Sequence, residues 1–459
     1  MFFRLRDGAS VALYERGVRH PAGVRFAGEV FTPYEDITHV AASARMVRIG
    51  TRRSVYVLQR AAFVAPAEAD HFVGLLAQRV ARGPTGPAQI ARMREIERTA
   101  ATAGTPRVVW ALAGLCLVGQ LLQATLGPVV EEAGHFSASL VRSGEVWRLV
   151  TANLLHAAPW FPVHFLLNTL GLVALGALLE WSIGSARTAL VLAASGIGAM
   201  GAGLVVDYER AVGASGVVMG VFGALVYLEL RHGAELPAQW RLPRAVIWLG
   251  IALQFALEAV AWLVLPIIAT GAHVGGFMTG FAVCAVVGAA GLHREPVRPW
   301  VVASNGALVV ALVASLASMG TVVVRGPDWE HRAERLLAHD EVPPEMLNNV
   351  AWLIATSDAP GPEALDAALR LARRAARETD RRDPTILDTL AEVHFQRGEV
   401  DDAVAVIEEA MALAPEEAYY RGQRDRFLGR REPDDRPDPP APDDGGPSWL
   451  TPDVPGIEV

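Results

Sequence analysis

Residues 212–223 read V-G-A-S-G-V-V-M-G-V-F-G and open an apolar run that continues to Leu230. Small residues at this density admit two readings. In a membrane helix, Gly, Ala and Ser let two backbones approach closely. In an enzyme, Ser215 is a nucleophile held at the start of that helix. The stretch is not the G-x-S-x-G turn of soluble hydrolases, because Val217 stands where the second glycine would be. What separates the two readings is the company Ser215 keeps elsewhere in the chain.

The chain has 459 residues, 52% of them hydrophobic, and a mean hydropathy of +0.28. That is too apolar for an ordinary soluble protein, and the excess lies in the middle third. The formal net charge of −8 comes mostly from the ends. With no basic stripe and no phosphate loop, nucleic-acid binding is set aside. Cys116 and Cys284 both fall inside apolar runs, which suits small membrane-buried residues better than a disulfide or a metal site. The start, M-F-F-R-L-R-D-G, carries early charges and no long apolar core, so no cleavable signal is expected.

Seven long apolar runs, at 107–129, 162–180, 187–206, 212–230, 244–265, 271–292 and 300–324, are each near the roughly 20 residues a bilayer core needs. Arginines set the orientation. Arg92, Arg94, Arg98 and Arg107 precede the first run. Arg187 lies between the second and third, Arg231, Arg241 and Arg244 between the fourth and fifth, and Arg294 and Arg298 between the sixth and seventh. The alternate connections hold only Arg142, Arg148 and Arg210. The positive-inside rule therefore makes the N-terminus cytoplasmic, and seven spans carry everything after about Arg325 outside. The expected location is multi-pass, in a bacterial inner or plasma membrane.

The flanks read differently. Residues 1–82 form a small β-rich domain with strand-like runs at Val11–Tyr14, Val24–Phe31, Arg45–Ile49 and Ser54–Leu58. An amphipathic helix, Ala67–Arg82, carries Phe72, Leu75, Leu76 and Val80 on one face. Strands closed by one helix resemble the pleckstrin-homology-like (PH-like) fold. Arg45, Arg48, Arg52 and Arg53 form either a basic surface near the bilayer or a solvated charged hairpin. Residues 83–106 read as a linker with a basic helical segment around Arg92–Arg98. Residues 107–325 are the membrane domain. In 326–430, Leu387, Leu390, Ala391, His394, Ala403, Ile407, Ala410 and Pro415 occupy the spacings of a tetratricopeptide (TPR) unit. A weaker copy has Leu347, Val350, Ala351, Ile354, Ala368, Ala372 and Ala375, with a longer loop at Asp358–Pro362. The tail, 431–459, is rich in Pro and Asp and reads as disordered.

Three further signals accompany Ser215. They are Glu145-Val-Trp147-Arg148 after the first span, His164-Phe-Leu-Leu-Asn168 at the start of the second, and Ala272-His273-Val274-Gly275-Gly276 at the start of the sixth. By the topology above, all of them lie with Ser215 on the outer side. An i, i+4 spacing puts His164 and Asn168 on one helical face. Polar groups at that depth are costly and usually functional.

With these motifs, E-x-W-R, H-x-x-x-N, G-A-S-G and A-H-x-G-G, the stretch Val108–Leu292 resembles the rhomboid intramembrane serine proteases. The resemblance implies a polytopic α-helical fold: a six-helix core, to which this chain adds a seventh C-terminal span. It implies cleavage of transmembrane segments of other membrane proteins within the lipid bilayer, with structural roles for Trp147, Arg148, Gly213, Gly216, Gly276 and Gly280. It also implies that the fifth span flanks substrate entry; there Gln254 and Glu258, spaced i, i+4, either gate the substrate or retain water, or else face the bundle or snorkel outward.

The chemistry agrees. Serine is a weak nucleophile until a base takes its proton. His273 is the only histidine at the outer start of a later span, and no acidic residue is placed to orient it, so a Ser215–His273 dyad is expected. His164, Asn168 and the Ser215 backbone N–H can donate to an oxyanion. Gly276 and Gly280, with Gly216, Gly220 and Gly223, have the small-residue spacing that would draw the two spans together. No metal or organic cofactor is needed. The pattern departs from the family at the A-A-P-W-F-P-V spacer between His156 and His164, where Pro159 and Pro162 bend the chain. It departs again at Met219, where many members carry Tyr or Phe against the catalytic histidine. Three alternatives remain: a catalytically silent helix binder, a scaffold acting through a protein ligand of the repeats, and a transporter, which leaves the Ser–His pair unexplained.

Overall fold

The computed structural model describes residues 1–21, 28–157, 162–208, 210–264, 270–288, 296–326, 328–339, 342–357, 360–432 and 436. The tail reading at 431–459 thus lies almost wholly outside the described residues, as does the first half of the run Val24–Phe31. The chain divides into two units. One comprises 1–136 and 147–316, the other 137–146 and 317–459.

In the first unit, β1 (Phe2–Arg4), β2 (Ser10–Leu13), β3 (Gly17–Pro21) and β4 (Glu29–Pro33) form an antiparallel sheet in chain order. A second sheet holds β5 (Ile37–Ala42), β6 (Met46–Thr51) and β7 (Val55–Gln59). Helix α1 (Pro66–Ala81) lays Ala69, Phe72, Leu76 and Val80 against Phe3, Val11, Val18, Ile37, Val47 and Ile49. The spacing of those four helix residues gives one apolar stripe. Strands β3 and β5 are not among the runs legible in sequence, because each buries a histidine where an apolar residue would signal a strand. His20 is satisfied by Thr32 Oγ1 at 2.9 Å and the Pro21 carbonyl at 2.8 Å, and its burial lowers its pKa.

Residues 83–106, read as a linker with a basic helical segment around Arg92–Arg98, carry a 16-residue helix, α2 (Gly86–Ala101), that packs on this domain. Gln89 Nε2 donates to the carbonyls of Tyr34 and Ile37 at 2.7 and 2.6 Å. His39 Nε2 meets Glu97 Oε2 at 2.7 Å. Ile90 and Met93 also pack against the domain core and Ile96 is buried, a stripe of three apolar residues too short to announce a core helix.

The membrane part begins with α3 (Arg107–Leu126). Three short helices follow in the connection, α4 (Pro128–Gly134), α5 (Ala138–Arg142) and α6 (Arg148–Thr151). Then come α7 (Val163–Ile183), α8 (Ser185–Val206), α9 (Ser215–His232), α10 (Arg244–Val264), α11 (Thr270–Gly288) and α12 (Pro299–Arg325). Among the described residues six helices are long and apolar enough to cross a membrane: α3, α7, α8, α9 prolonged to Glu235, α11 and α12. α10 is a further long helix of 21 residues, built mostly of Ala, Val, Ile, Leu and Trp. Glu180, near the end of α7, accepts the Val108 and Val109 N–H groups at 3.2 and 3.0 Å and the Ser185 hydroxyl at 2.6 Å. A carboxylate at the N-terminus of α3 satisfies donors that the helix itself leaves open.

The N-terminal domain meets the connection between α9 and α10. Arg241 is fully buried there, its guanidinium bidentate on Glu229 at 2.8 and 2.7 Å and donating to the Thr51 carbonyl at 2.8 Å. The Ala238 N–H donates to His39 Nδ1 at 3.1 Å, and the Arg244 N–H to Ser54 Oγ at 3.1 Å. This domain and Ser215 therefore lie at opposite ends of α9.

The second unit is helical: α13 (Trp329–Leu337), α14 (Pro344–Ala355), α15 (Pro362–Glu378), α16 (Pro384–Gln396), α17 (Val400–Leu413) and α18 (Ala418–Phe427). Successive helices pack in pairs through buried alanines, among them Ala351, Ala368, Ala372, Ala375, Ala391, Ala403 and Ala410. Small side chains bring helix axes close. In its interior, Asp388 accepts from Tyr419 Oη at 2.8 Å and Gln423 Nε2 at 2.9 Å, and Arg426 pairs with Glu392. Segment 137–146 belongs to this unit, with Leu140 of α5 in its core. The loop expected at Asp358–Pro362 has residues 358 and 359 outside the described set.

Candidate active site

The site rests on backbone contact between α9 and α11. A Cβ on Gly276 would lie 2.0 Å from the Gly216 carbonyl oxygen, and one on Gly280 2.0 Å from that of Gly220. A Cβ on Gly223 would lie 2.2 Å from the Phe277 oxygen. No side chain fits at such distances, so these glycines set the helix separation. α11 does the same toward α8, where a Cβ on Gly275 would meet Ala202 at 2.5 Å and the Gly198 oxygen at 2.7 Å. Gly276→Ala must push α9 and α11 apart. It is expected to destabilise the bundle by about 1–3 kcal/mol, read as a lower melting temperature in detergent; an unchanged melting temperature would contradict this packing.

Across that seam the N-terminal ends of the two helices bring two side chains together. His273 Nε2 lies 2.8 Å from Ser215 Oγ, both half-buried. On the far side of the ring, Gln254 Nε2 of α10 lies 3.1 Å from His273 Nδ1. The Glu258 side chain is outside the described residues. Met219 packs with Phe222, Val226 and Ile247.

His164 and Asn168 lie beside Gly213. Gly213 adopts φ +128°, and a Cβ there would lie 2.8 and 2.9 Å from His164 Cε1 and Nε2 and 3.7 Å from Asn168 Nδ2. Gly213 thus leaves the space in which the imidazole sits, two residues before Ser215. The Ala157 N–H donates to His164 Nδ1 at 3.2 Å. An Nδ1 that accepts leaves the hydrogen on Nε2, the nitrogen turned toward Gly213. Asn168 Nδ2 spends one N–H on the His164 carbonyl at 3.0 Å. The His156 ring, fully buried, stands edge-on to His164 with centroids 5.4 Å apart. Pro162 directly precedes α7, while Pro159 lies outside the described residues.

Trp147 and Arg148 hold the connection between α3 and α7. Trp147 Nε1 donates to the Ala133 carbonyl at 3.1 Å. Arg148 is fully buried, donating to the carbonyls of His135 at 2.7 Å and Glu132 at 2.9 Å. Burial, and then the neighbouring Arg148 charge, push the His135 pKa down to about 3, so this ring is neutral. Glu145 of the same motif points elsewhere: it accepts both arms of Arg332, 187 residues along the chain. Neither that pair nor the Gln254 contact is legible in sequence. The only local signal of Gln254 is that it stands with Glu258, i and i+4, in an apolar helix, and that does not say which neighbour it meets.

Six bilayer-length apolar helices and this cluster of polar groups make the chain an integral, multi-pass membrane protein. Residues 143–290 match the Rhomboid domain. RHOMBOID-like protein 6, mitochondrial, of Arabidopsis thaliana is 30% identical over 162 residues, 34% of this chain and 50% of that protein. Rhomboid protease GluP of Bacillus subtilis is 26% identical over 287 residues, 61% of this chain and 49% of that protein. Inactive RHOMBOID-like protein 8 of Arabidopsis thaliana is 28% identical over 161 residues, 34% of this chain and 43% of that protein. The matched region spans about half or less of the length of these relatives.

Proposed function

We propose that this protein is an intramembrane serine endopeptidase that cleaves transmembrane segments of other membrane proteins through a Ser215–His273 dyad. The observation that carries the reading is the 2.8 Å contact between Ser215 Oγ and His273 Nε2. His273 takes the hydroxyl proton as Ser215 attacks the scissile carbonyl, then returns it to the departing amine. The tetrahedral oxyanion is held by the Ser215 N–H at the start of α9, His164 Nε2–H and the remaining Asn168 N–H. The rhomboid relative named a protease supports this reading. The relative named inactive favours a second one, a silent member that binds membrane helices.

The test is cleavage of a panel of single-span proteins by the purified full chain in detergent, with Ser215→Ala beside it. Ser215-dependent cleavage supports the protease; binding of the panel without cleavage supports the silent binder. Asn168→Ala is expected to lower turnover by about 2–4 kcal/mol in barrier terms, measured as kcat on the best substrate of that panel. Unchanged turnover removes Asn168 from the oxyanion site.

In this reading α10 and α12 both span, giving seven crossings, with the N-terminal domain cytoplasmic and the C-terminal helices outside. The position of the N-terminal domain at the end of α9 remote from Ser215 supports that arrangement. Its seven strands and closing helix support the PH-like reading. The paired helices α14–α15 and α16–α17 support a tetratricopeptide-like scaffold, which would recruit the extracytoplasmic part of a substrate or adaptor and raise its local concentration. Protease protection of each terminus in oriented vesicles tests the topology.

A further inference from the structure

We propose that Gln254 is a positioning residue for His273, a neutral third member that fixes the imidazole tautomer; this rests on the protease reading above. A base facing Ser215 must present a lone pair on Nε2, so its hydrogen must sit on Nδ1. The group 3.1 Å from Nδ1 is the Gln254 amide. Its oxygen and nitrogen are sterically equivalent, and the hydrogen-bond network decides which faces the ring. With the nitrogen toward the ring, Nδ1 accepts, Nε2 carries the hydrogen, and the ring cannot take the serine proton. With the oxygen toward the ring, Nδ1–H donates to Gln254 Oε1 and Nε2 can accept from Ser215. Only the second arrangement makes a working base, and the amide achieves it without a buried charge.

The helix that carries Gln254 is built to deliver it. α10 packs on the bundle through Ile247, Gly250 and Ile251, and Gln254 is the next residue of the same stripe, at i, i+3, i+4 and i+7. A Cβ on Gly250 would lie 3.2 Å from the Phe222 ring of α9, so the glycine lets α10 approach. The other faces, with Trp248, Leu249, Leu253, Phe255 and Leu257, are exposed. The polar side chain on the packed stripe therefore ends at the ring nitrogen that the dyad does not use.

The experiment uses the full chain in detergent micelles, with Q254L, Q254M and Q254E. Q254L and Q254M remove the acceptor while filling the volume. Q254E keeps an acceptor for Nδ1–H. Q254L and Q254M are expected to lower kcat about 100-fold or more, with KM little changed. Q254E is expected to retain most of the rate, and melting temperatures to stay near that of the parent. ¹⁵N-histidine spectra, with His273 assigned by its loss in His273→Ala, should report the Nδ1–H tautomer in the parent and in Q254E. That form should be lost from Q254L. Equal kcat in all four proteins, or an Nε2–H tautomer in the parent, overturns the proposal. So does a loss shared by Q254E and accompanied by a fall in melting temperature, which marks a packing role alone. The spectra stand apart from turnover: a Gln254-dependent tautomer with no Ser215-dependent cleavage keeps this inference and sinks the protease reading.

Discussion

Ser215→Ala and His273→Ala are each expected to abolish cleavage, by at least about 10³-fold in kcat, and the double mutant to lose no more than either single. In the proposed dyad the two side chains act as one unit, in contact at 2.8 Å. Without the imidazole, the hydroxyl keeps its proton and the attack has no base. Without the hydroxyl, the imidazole has nothing to activate. The residual rate should come from oxyanion donors and substrate alignment alone. Neither change touches the glycine contacts that hold α9 against α11, so both variants should fold, and their melting temperatures serve as the control. Multiplicative losses in the double mutant, or near-normal turnover in either single, would show that the two residues do not act together. A fluorophosphonate that labels the parent but neither single variant would report the same coupling without a peptide substrate.

The membrane part of the fold was legible because its signal is one-dimensional. A run of apolar residues long enough for a bilayer is visible without knowing what it packs against, and the runs coincide with α3 and α7–α12 to within a few residues at most ends; among the described residues six of these helices, all but α10, are long and apolar enough to cross a membrane. The resemblance carried by E-x-W-R, H-x-x-x-N, G-A-S-G and A-H-x-G-G agrees with the Rhomboid match at 143–290. What was not legible is pairwise. β3 and β5 hide their strands behind buried histidines, and α2 docks through Gln89 and the Glu97–His39 contact as well as through Ile90 and Met93. Arg241 reaches Thr51 across 190 residues, and Glu145 reaches Arg332 across 187. Gln254 sits 19 residues before His273, but on a different helix. Each such contact is specified by the packing of elements, and no local pattern encodes it.

Arg332→Met is expected to destabilise the C-terminal helical unit by about 3–5 kcal/mol, because it takes both guanidinium hydrogen bonds from the buried Glu145 carboxylate. Arg332 Nε and Nη2 meet the two Glu145 oxygens at 2.7 and 3.1 Å, with side-chain exposures of 8% and 3%. The segment that brings Glu145 there is folded into the unit. Leu140 is in its core, and the Glu145 N–H donates to the Leu140 carbonyl at 2.9 Å. Gly144 adopts φ +105° with Arg335 Nη1 2.8 Å from where a Cβ would be. Two residues beyond Glu145, Trp147 and Arg148 anchor the chain again near α4. Residues 137–146 are therefore a strap that depends on helices encoded more than 180 residues later. Glu145→Arg with Arg332→Glu should recover much of the loss, whereas Glu145→Arg alone should not. The measurements are the melting temperature of the full chain and the rate of protease cutting within 137–146. This bears on how the C-terminal region can be tested. Deleting 327–459 removes Arg332 together with any recruiting surface, so it is expected to depress cleavage even of a bare transmembrane peptide. A deletion that leaves peptide cleavage and strap protection intact would show that the Glu145–Arg332 pair does not hold the strap. Recruitment by the repeats is better probed by exposed substitutions on α15 and α17, which leave this pair in place.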